Sequence, residues 1–273
     1  MNVNNAQTFS QDSDQYARSR PQYPDELFSY LSGLCEGHDR AWDCATGNGQ
    51  AAVSCAKYFS HVEATDVSAE QIQHGIQHPR VRYSVSPAEQ TTFVDNSFDL
   101  IMVATAVHWF DQPKFFREVE RVLRPNGVLA VWGYAFFKVE PQVDDIIEKY
   151  LLAPIEPYWA EGNRQVMAGY PDLILPFEEI PNPRTFSITV QWNLEQFISY
   201  TRTWSAVKRC MVQTGNDPVQ ELESRITAVW PKGGIIKTIH MPLSFKAARK
   251  PSQQLDLLWA TARPRTRSAR QRE

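Results

Sequence analysis

Residues 42–50, W-D-C-A-T-G-N-G-Q, place one acid and two glycines directly after a short apolar segment. Gly47 and Gly49 permit the positive φ angles and close backbone approach that side chains forbid. The Ala-rich stretch 51–58 can continue as a helix, whose first N–H groups would then face a ligand. That is chemistry for holding a nucleotide-like molecule. Gly47-x-Gly49-x-x-Ala52 also satisfies the loose dinucleotide fingerprint, with Asp66 at roughly the spacing of its ribose-binding acid. His108 lies just past the apolar run 98–104, F-D-L-I-M-V-A, where a sheet delivers a general base to its ligand.

These residues need a scaffold, and the hydrophobic pattern supplies one. Leu27, Tyr30, Leu31 and Leu34 fall at helical spacing, and Gly37 stops that helix. Strands are expected at 40–44, 62–67, 81–85, 98–104 and 128–132. Helices are expected at 51–59, 69–77 and 112–123, the second capped by Ser68. The nearly continuous apolar run 98–104 suits a strand buried on both faces of a parallel sheet. Alternating strand and helix patterns predict an α/β class: a doubly wound, Rossmann-like, seven-stranded, mostly parallel sheet with helices on both faces. Beyond Tyr134 the pattern changes. A helix at 143–151, a Pro- and aromatic-rich stretch, a strand at 185–192, helices at 194–207 and 219–229, and a last strand at 235–247 broken at Pro242 predict an inserted, mainly helical cap. The expected divisions are an N-terminal segment 1–24 over the cofactor and a core over 25–134. A cap insertion over 135–183 follows, then a part over 184–250 completing sheet and cap, and a basic tail over 251–273.

Composition bounds the rest. The 273 residues are 42% hydrophobic and 12% aromatic, enough for a packed core. A net charge of −3 argues against a general nucleic-acid binder, whose affinity rests on many cationic contacts. The arginines near the end, Arg263 to Arg272, read as a solvated tail. Cys35, Cys44, Cys55 and Cys210 form no CxxC pair and have no histidine at ligand spacing, so reduced thiols, three of them buried, and no metal are expected. The polar start shows no signal peptide, and no run approaches the ~18 apolar residues of a membrane span. A cytoplasmic monomer or homodimer is the expectation.

At Asp43 the turn carries an acid where a dinucleotide site usually has an apolar residue. The segments in order resemble the class I S-adenosylmethionine-dependent methyltransferases. The family's D/E-x-G-x-G-x-G corresponds to residues 43–49, with Ala45 for the first glycine. The acid ending its second strand corresponds to Asp66, and a small residue followed by an acid near the adenine to Ala88 and Glu89. The F-D-L-I and H-W-F elements correspond to residues 98–110, and L-R-P-G-G-x-L to residues 123–129 with Asn126 for a glycine. More narrowly, Y-A-x-x-R-P-x-Y-P at 16–24, A-x-x-H-W-F-D, Y-x-x-T-W-S at 200–205 and M-P-L-S-F-K resemble type 11-like small-molecule methyltransferases of the trans-aconitate methyltransferase group. The resemblance spans residues 9–250.

The resemblance implies S-adenosyl-L-methionine as cofactor and a set of residues around it. Asp66 would take both ribose hydroxyls, a charge-assisted arrangement, with Val67 beside it. Ala45, Gly47, Gly49, Gln50 and Ala104 would line the cofactor, and Ala88 and Glu89 the adenine. Asp43 would serve the cationic end of the methionine part directly or through water, Arg20 (with Arg18 as the second candidate) its carboxylate, and Tyr16 would close over the sulfonium. His108 is the catalytic candidate. Trp109, Tyr134, Arg202 and Trp204 are candidates for the acceptor pocket, with Arg202 as a clamp for a carboxylate. The implied reaction is in-line methyl transfer to a small-molecule acceptor, a carboxylate or hydroxyl oxygen favoured, with no nucleic-acid or membrane partner. A hydroxyl, phenol or amine would want His108 as base; a carboxylate needs none. Two other readings stand beside this one: a non-catalytic S-adenosylmethionine-binding protein and an NAD-dependent oxidoreductase.

Overall fold

The computed structural model describes residues 21–134, 136–182 and 184–252. Tyr16 and Arg20 lie outside the described residues, as do residues 1–20 of the expected N-terminal segment and 253–273 of the expected tail. Helix α1, Asp25–Leu34, presents Leu27, Phe28 and Leu31 to the core. Strand β1, Arg40–Cys44, leads through the glycine loop into α2, Gln50–Cys55. Then follow β2, His61–Asp66, the short helix α3, Ala69–Gln73, and β3, Val81–Val85. Ser68 caps α3 by accepting from the Gln71 N–H, as its position predicts. Strand β4, Phe98–Ala104, is followed by a 3-10 turn over Val107–Trp109, helix α4, Gln112–Val122, and strand β5, Leu123–Tyr134.

Among the described residues the sheet has eight strands, one more than expected, because Glu178–Glu179 adds an edge strand, β6. Strands β1 to β5 are parallel, in the order β3-β2-β1-β4-β5. The last strand, β8, Lys237–Arg249, runs antiparallel to β5 and carries β6 on its other side. Residues alternate between the two faces. Ala41, Leu100, Met102 and Ala130 enter one core, while Trp42, Ile101, Val103 and Leu129 enter the other. Each residue of a doubly covered strand is buried, and so the apolar run was legible.

Two elements differ from expectation for identifiable reasons. Pro125-Asn126-Gly127 does not separate α4 from β5. It lies within β5 as a register shift against β4, between the Phe98↔Leu123 and Leu100↔Val128 pairs. Asn126 takes φ 64° there, and its N–H donates to the Lys250 carbonyl. Pro242 likewise does not end β8. Residues 237–242 pair with β7, Ser187–Trp192, whereas 243–249 pair with β5, so the proline marks the hand-over from one sheet to the other.

The remaining helices form a third core. Helix α5, Pro141–Ile147, runs on through a π turn over Glu148–Leu152 to Ile155. After α6, Glu161–Met167, come α7, Leu194–Arg202, α8, Ser205–Thr214, and α9, Pro218–Ile226. Phe137, Val143, Leu151, Phe197, Trp204, Leu222 and Trp230 pack together there, against the β7–β8 ribbon. The single helix expected over 194–207 is two, broken by a turn in which the Thr203 and Trp204 N–H groups donate to the Tyr200 and Thr201 carbonyls. All four cysteines are buried free thiols, one more than expected. Among the described residues no helix is long and apolar enough to cross a membrane.

Candidate functional site

Strand order reverses between β1 and β4, and open α/β sheets bind ligands at such a point. A cavity of about 260 Å³ opens there, beyond the C-terminal ends of the parallel strands. Its floor comes from the loop after β1 (Ala45, Gly47, Gln50), the end of β2 (Asp66, Val67), the end of β4 (Ala104) and Tyr134 of β5. Its roof comes from α6 and from the corner between α7 and α8. His108, Trp109 and Trp204 are on the wall.

The glycine loop is built by backbone conformation. Gly47 and Gly49 take φ of 56° and 89°. Ala45 takes φ 57°, the left-handed conformation that the resembling pattern gives to a glycine. Alanine reaches it at a cost of roughly 1–2 kcal/mol. The loop does not close through the cavity alone: the Thr46 N–H donates to the Thr65 carbonyl, tying it to β2. Gly49 is off the cavity wall; a Cβ there would fall 1.9 Å from the Tyr83 hydroxyl oxygen. Its missing side chain serves packing behind the loop.

Asp66 holds the loop from the other side. Its Oδ2 accepts from the Gly47 N–H and its Oδ1 from the Ser68 N–H, each at 2.9 Å. A carboxylate has about four lone-pair sites, so acceptor capacity remains for a ligand in the cavity that Asp66 lines. Burial pushes the Asp66 carboxyl up, opposed by those backbone donors. Past Asp66 a small recess continues between Ala88, Glu89, Ser86 and Phe110. Glu89 accepts from the Asp111 N–H at 3.1 Å, which fixes the recess against the start of α4.

Asp43 departs from expectation. It is fully buried and not on the cavity wall. Its Oδ2 accepts from the Thr46 hydroxyl at 2.5 Å, and Thr46 is the residue that meets the cavity. Its Oδ1 is buried with no partner. Burial raises the Asp43 carboxyl to about 7, and the nearby Asp66 charge pushes it the same way. Of the pair, Thr46 is the one that borders the cavity, with Asp43 directly behind it. Arg202 also departs. It is not on the wall, and its guanidinium meets Asp217 Oδ2 at 2.5 Å. It ties α7 to the start of α9.

Residues that the sequence did not single out complete the cavity. Tyr23 reaches over the end of β4 to Thr105 Oγ1 at 3.3 Å and packs edge-on against Trp132 and Tyr134. Trp159 and Asn163 come from the cap, and Lys208 from the first turns of α8. Tyr23 belongs to the Y-A-x-x-R-P-x-Y-P element, and Trp159 and Asn163 to the aromatic, Pro-rich stretch, whereas nothing local marks Lys208. Asn163 Oδ1 is buried without a partner.

A glycine loop, a strand-end acid and a capped cleft at a topological switch point define the class of nucleotide-cofactor α/β enzymes. The methyltransferase-domain family model matches residues 42–131, the part that builds the loop and the strand ends. A Dictyostelium discoideum protein assigned as a methyltransferase is 35% identical over 215 residues, covering 77% of this chain and 81% of its own. An assigned S-adenosylmethionine-dependent methyltransferase of Saccharomyces cerevisiae is 22% identical, covering 71% of this chain and 79% of its own. A solved structure assigned as a type II methyltransferase from Anaeromyxobacter dehalogenans superposes with a TM-score of 0.80 at 35% identity, covering 85% of this chain and 99% of that one. The chain belongs to the class I, S-adenosylmethionine-dependent methyltransferase family.

S-adenosylmethionine is accordingly its cofactor, and the residues present fit it. Asp66 keeps acceptor capacity for a diol after its two backbone bonds, and the recess beside Ala88 extends from the same wall.

Proposed function

We propose that this methyltransferase acts on an oxygen of a small organic molecule, a carboxylate or a hydroxyl, bound between the cofactor loop and the cap. The single observation behind this reading is the character of the cavity's far end. It is walled by Trp109, Tyr134, Trp159, Tyr200 and Trp204, with His108 and Lys208 as the ionisable groups there. Apolar walls with a few placed polar groups suit a small ligand better than a polymer. The net charge of −3 points away from a nucleic-acid acceptor.

In this reading the bound cofactor supplies an electrophilic methyl group on a sulfonium. The protein's work is positioning and exclusion of water. Asp66, Val67, Ala45, Gly47 and Gln50 hold the nucleoside end, and Ala88 and Glu89 bound its base. Ala104 and Thr46 border the centre of the cleft, with Asp43 acting behind Thr46. Gly49 supports the loop. The aromatic wall orients the acceptor and keeps water from the transfer point, with His108 among the polar groups on that wall. Core 25–134, cap 135–183 and the shared part 184–250 are the divisions that correspond to these tasks.

The experiment has two stages. Calorimetry with S-adenosylhomocysteine fixes the cofactor site. A screen of carboxylic acids, phenols, alcohols and amines with S-adenosylmethionine then reads formation of S-adenosylhomocysteine. Turnover confined to peptides or nucleic acids, with none on any small acid or alcohol, would overturn the acceptor assignment.

A further inference from the structure

His108 is held by a partner 62 residues away. Its Nδ1 lies 2.9 Å from the Tyr170 hydroxyl oxygen, with the two rings tilted at 33°. Tyr170 is 3% exposed, and among the described residues its hydroxyl has no other hydrogen-bond partner. The backbone is shaped to deliver it. Gly169 and Tyr170 take successive positive φ angles, 81° and 57°, unusual for a tyrosine. Gly133 leaves the room: a Cβ there would sit 3.0 Å from the Tyr170 hydroxyl oxygen. On the other side, Gly162 of α6 lets the cap close on the ring, since a Cβ there would be 3.1 Å from His108 Cδ2.

The bond has two possible directions. A neutral imidazole carries one N–H and one bare nitrogen, whereas a phenol both donates and accepts. If Nδ1–H donated to the phenol oxygen, the phenol O–H would be buried with no acceptor, an arrangement folded proteins avoid. If the phenol donates to a bare Nδ1, the buried phenol hydrogen is satisfied and the proton stays on Nε2, which is left for a group in the cavity. Nδ1 is turned to Tyr170, which is off the cavity wall, so Nε2 is the nitrogen left to meet the cavity. We propose that Tyr170 is a positioning residue that locks His108 in the Nε2–H tautomer, making it a hydrogen-bond donor to the acceptor and not a general base.

This rests on the reading of the cavity as the acceptor site and deepens it. Burial lowers the His108 imidazole to about 4 and raises the Tyr170 phenol, so both are neutral at physiological pH. A donor at Nε2 can bind the oxygen of a carboxylate that is not being methylated. It cannot take the proton that a hydroxyl acceptor must lose. A carboxylate loses none: one oxygen lone pair forms the new C–O bond, the C–S bond breaks, and its electron pair stays on sulfur. The tautomer lock therefore selects carboxylate over hydroxyl.

The test is a long-range ¹H–¹⁵N spectrum of the full chain with ¹⁵N-labelled histidine at pH 7. The six histidines are separated by the loss of one ring pattern in His108→Gln. The expected His108 pattern has a pyridine-like Nδ1 and a pyrrole-like Nε2. In Tyr170→Phe the two shifts should move toward each other as the tautomers mix, while S-adenosylhomocysteine affinity stays within about twofold. A wild-type pattern with the proton on Nδ1 overturns the proposal, whether or not the variant folds; so does a Tyr170→Phe spectrum unchanged from wild type. An acceptor screen that fails while the wild-type Nε2–H pattern is present counts against the small-molecule reading and leaves the tautomer intact.

Discussion

The Gly47 N–H donates to Asp66 Oδ2 at 2.9 Å, so the end of β2 and the loop after β1 are parts of one hydrogen-bonded assembly. The acid proposed to hold the cofactor also sets the conformation of the glycine loop. Removing it should do two things. In Asp66→Ala, S-adenosylhomocysteine affinity should fall by at least ~100-fold, on the scale of ~1.5–3 kcal/mol for each charge-assisted bond lost. Thermal stability should fall as well, since the Gly47 and Ser68 N–H groups lose their acceptor. Calorimetry that finds the variant within threefold of wild type would remove Asp66 from the cofactor site.

Asp43 gives the cofactor-free protein a pH dependence with a definite sign. Its carboxyl is raised to about 7 by burial, so between its ordinary value of 3.8 and about 7 the folded state binds the extra proton. This contribution to stability is fully present below 3.8 and is lost as pH rises through 7. Each tenfold difference in proton affinity between the folded and unfolded chain is worth about 1.4 kcal/mol, so the loss amounts to a few kcal/mol. The urea midpoint of the cofactor-free wild type should drop from pH 5 to pH 8 by more than that of Asp43→Asn. Parallel pH curves for the two proteins would show that Asp43 does not titrate in this range.

Arg202 is paired with Asp217 and lies off the cavity wall, so its removal is expected to act on stability more than on the acceptor. Its partner Asp217 also caps α9 by accepting from the Val219 N–H. The arginine side chain is 38% exposed, so solvent screens the pair and Arg202→Ala should cost less than ~1 kcal/mol. Turnover on the acceptor should remain within about threefold of wild type. A large rise in acceptor KM would restore the clamp.

Gly162→Ala sets two effects against each other. Alanine favours the helix by ~0.5–1 kcal/mol. Its Cβ would press at 3.0 Å on Trp109 and 3.1 Å on His108, and crowding of this kind costs ~1–3 kcal/mol. The fold should survive, with a melting temperature changed by a few degrees, while acceptor kcat/KM falls about tenfold and cofactor affinity holds. Equal losses in cofactor and acceptor binding would mean that the pressure spreads through the whole cleft instead of staying at His108.

Much of the nucleotide-binding half was readable from local pattern. Strands 40–44, 81–85 and 98–104 lie at the expected residues; 98–104 is legible because a strand covered on both faces is a nearly unbroken apolar run. The two glycines, the strand-end Asp66 and the Ser68 cap were legible for the same reason: each answers a backbone demand within a few residues of itself. Boundaries failed where tertiary pairing overrode turn chemistry. Pro125-Asn126-Gly127 reads as a stop, yet Lys250 and β4 hold it in the sheet as a bulge.

By itself, then, the sequence determined the α/β class, the parallel strand positions, the glycine loop and the acid beside it, and through their ordered resemblance the cofactor. Only the tertiary structure decided that Asp43 stands behind Thr46, that Arg202 turns to Asp217, that residues 194–207 break at a corner facing the cavity, and that Tyr170 grips His108. The reason is the range of the forces involved. Strand periodicity, turn conformation and caps are settled within a few residues of chain. A side chain's partner in the cap is settled by packing between elements 15 or 62 residues apart, and no periodic signal in the intervening sequence records it.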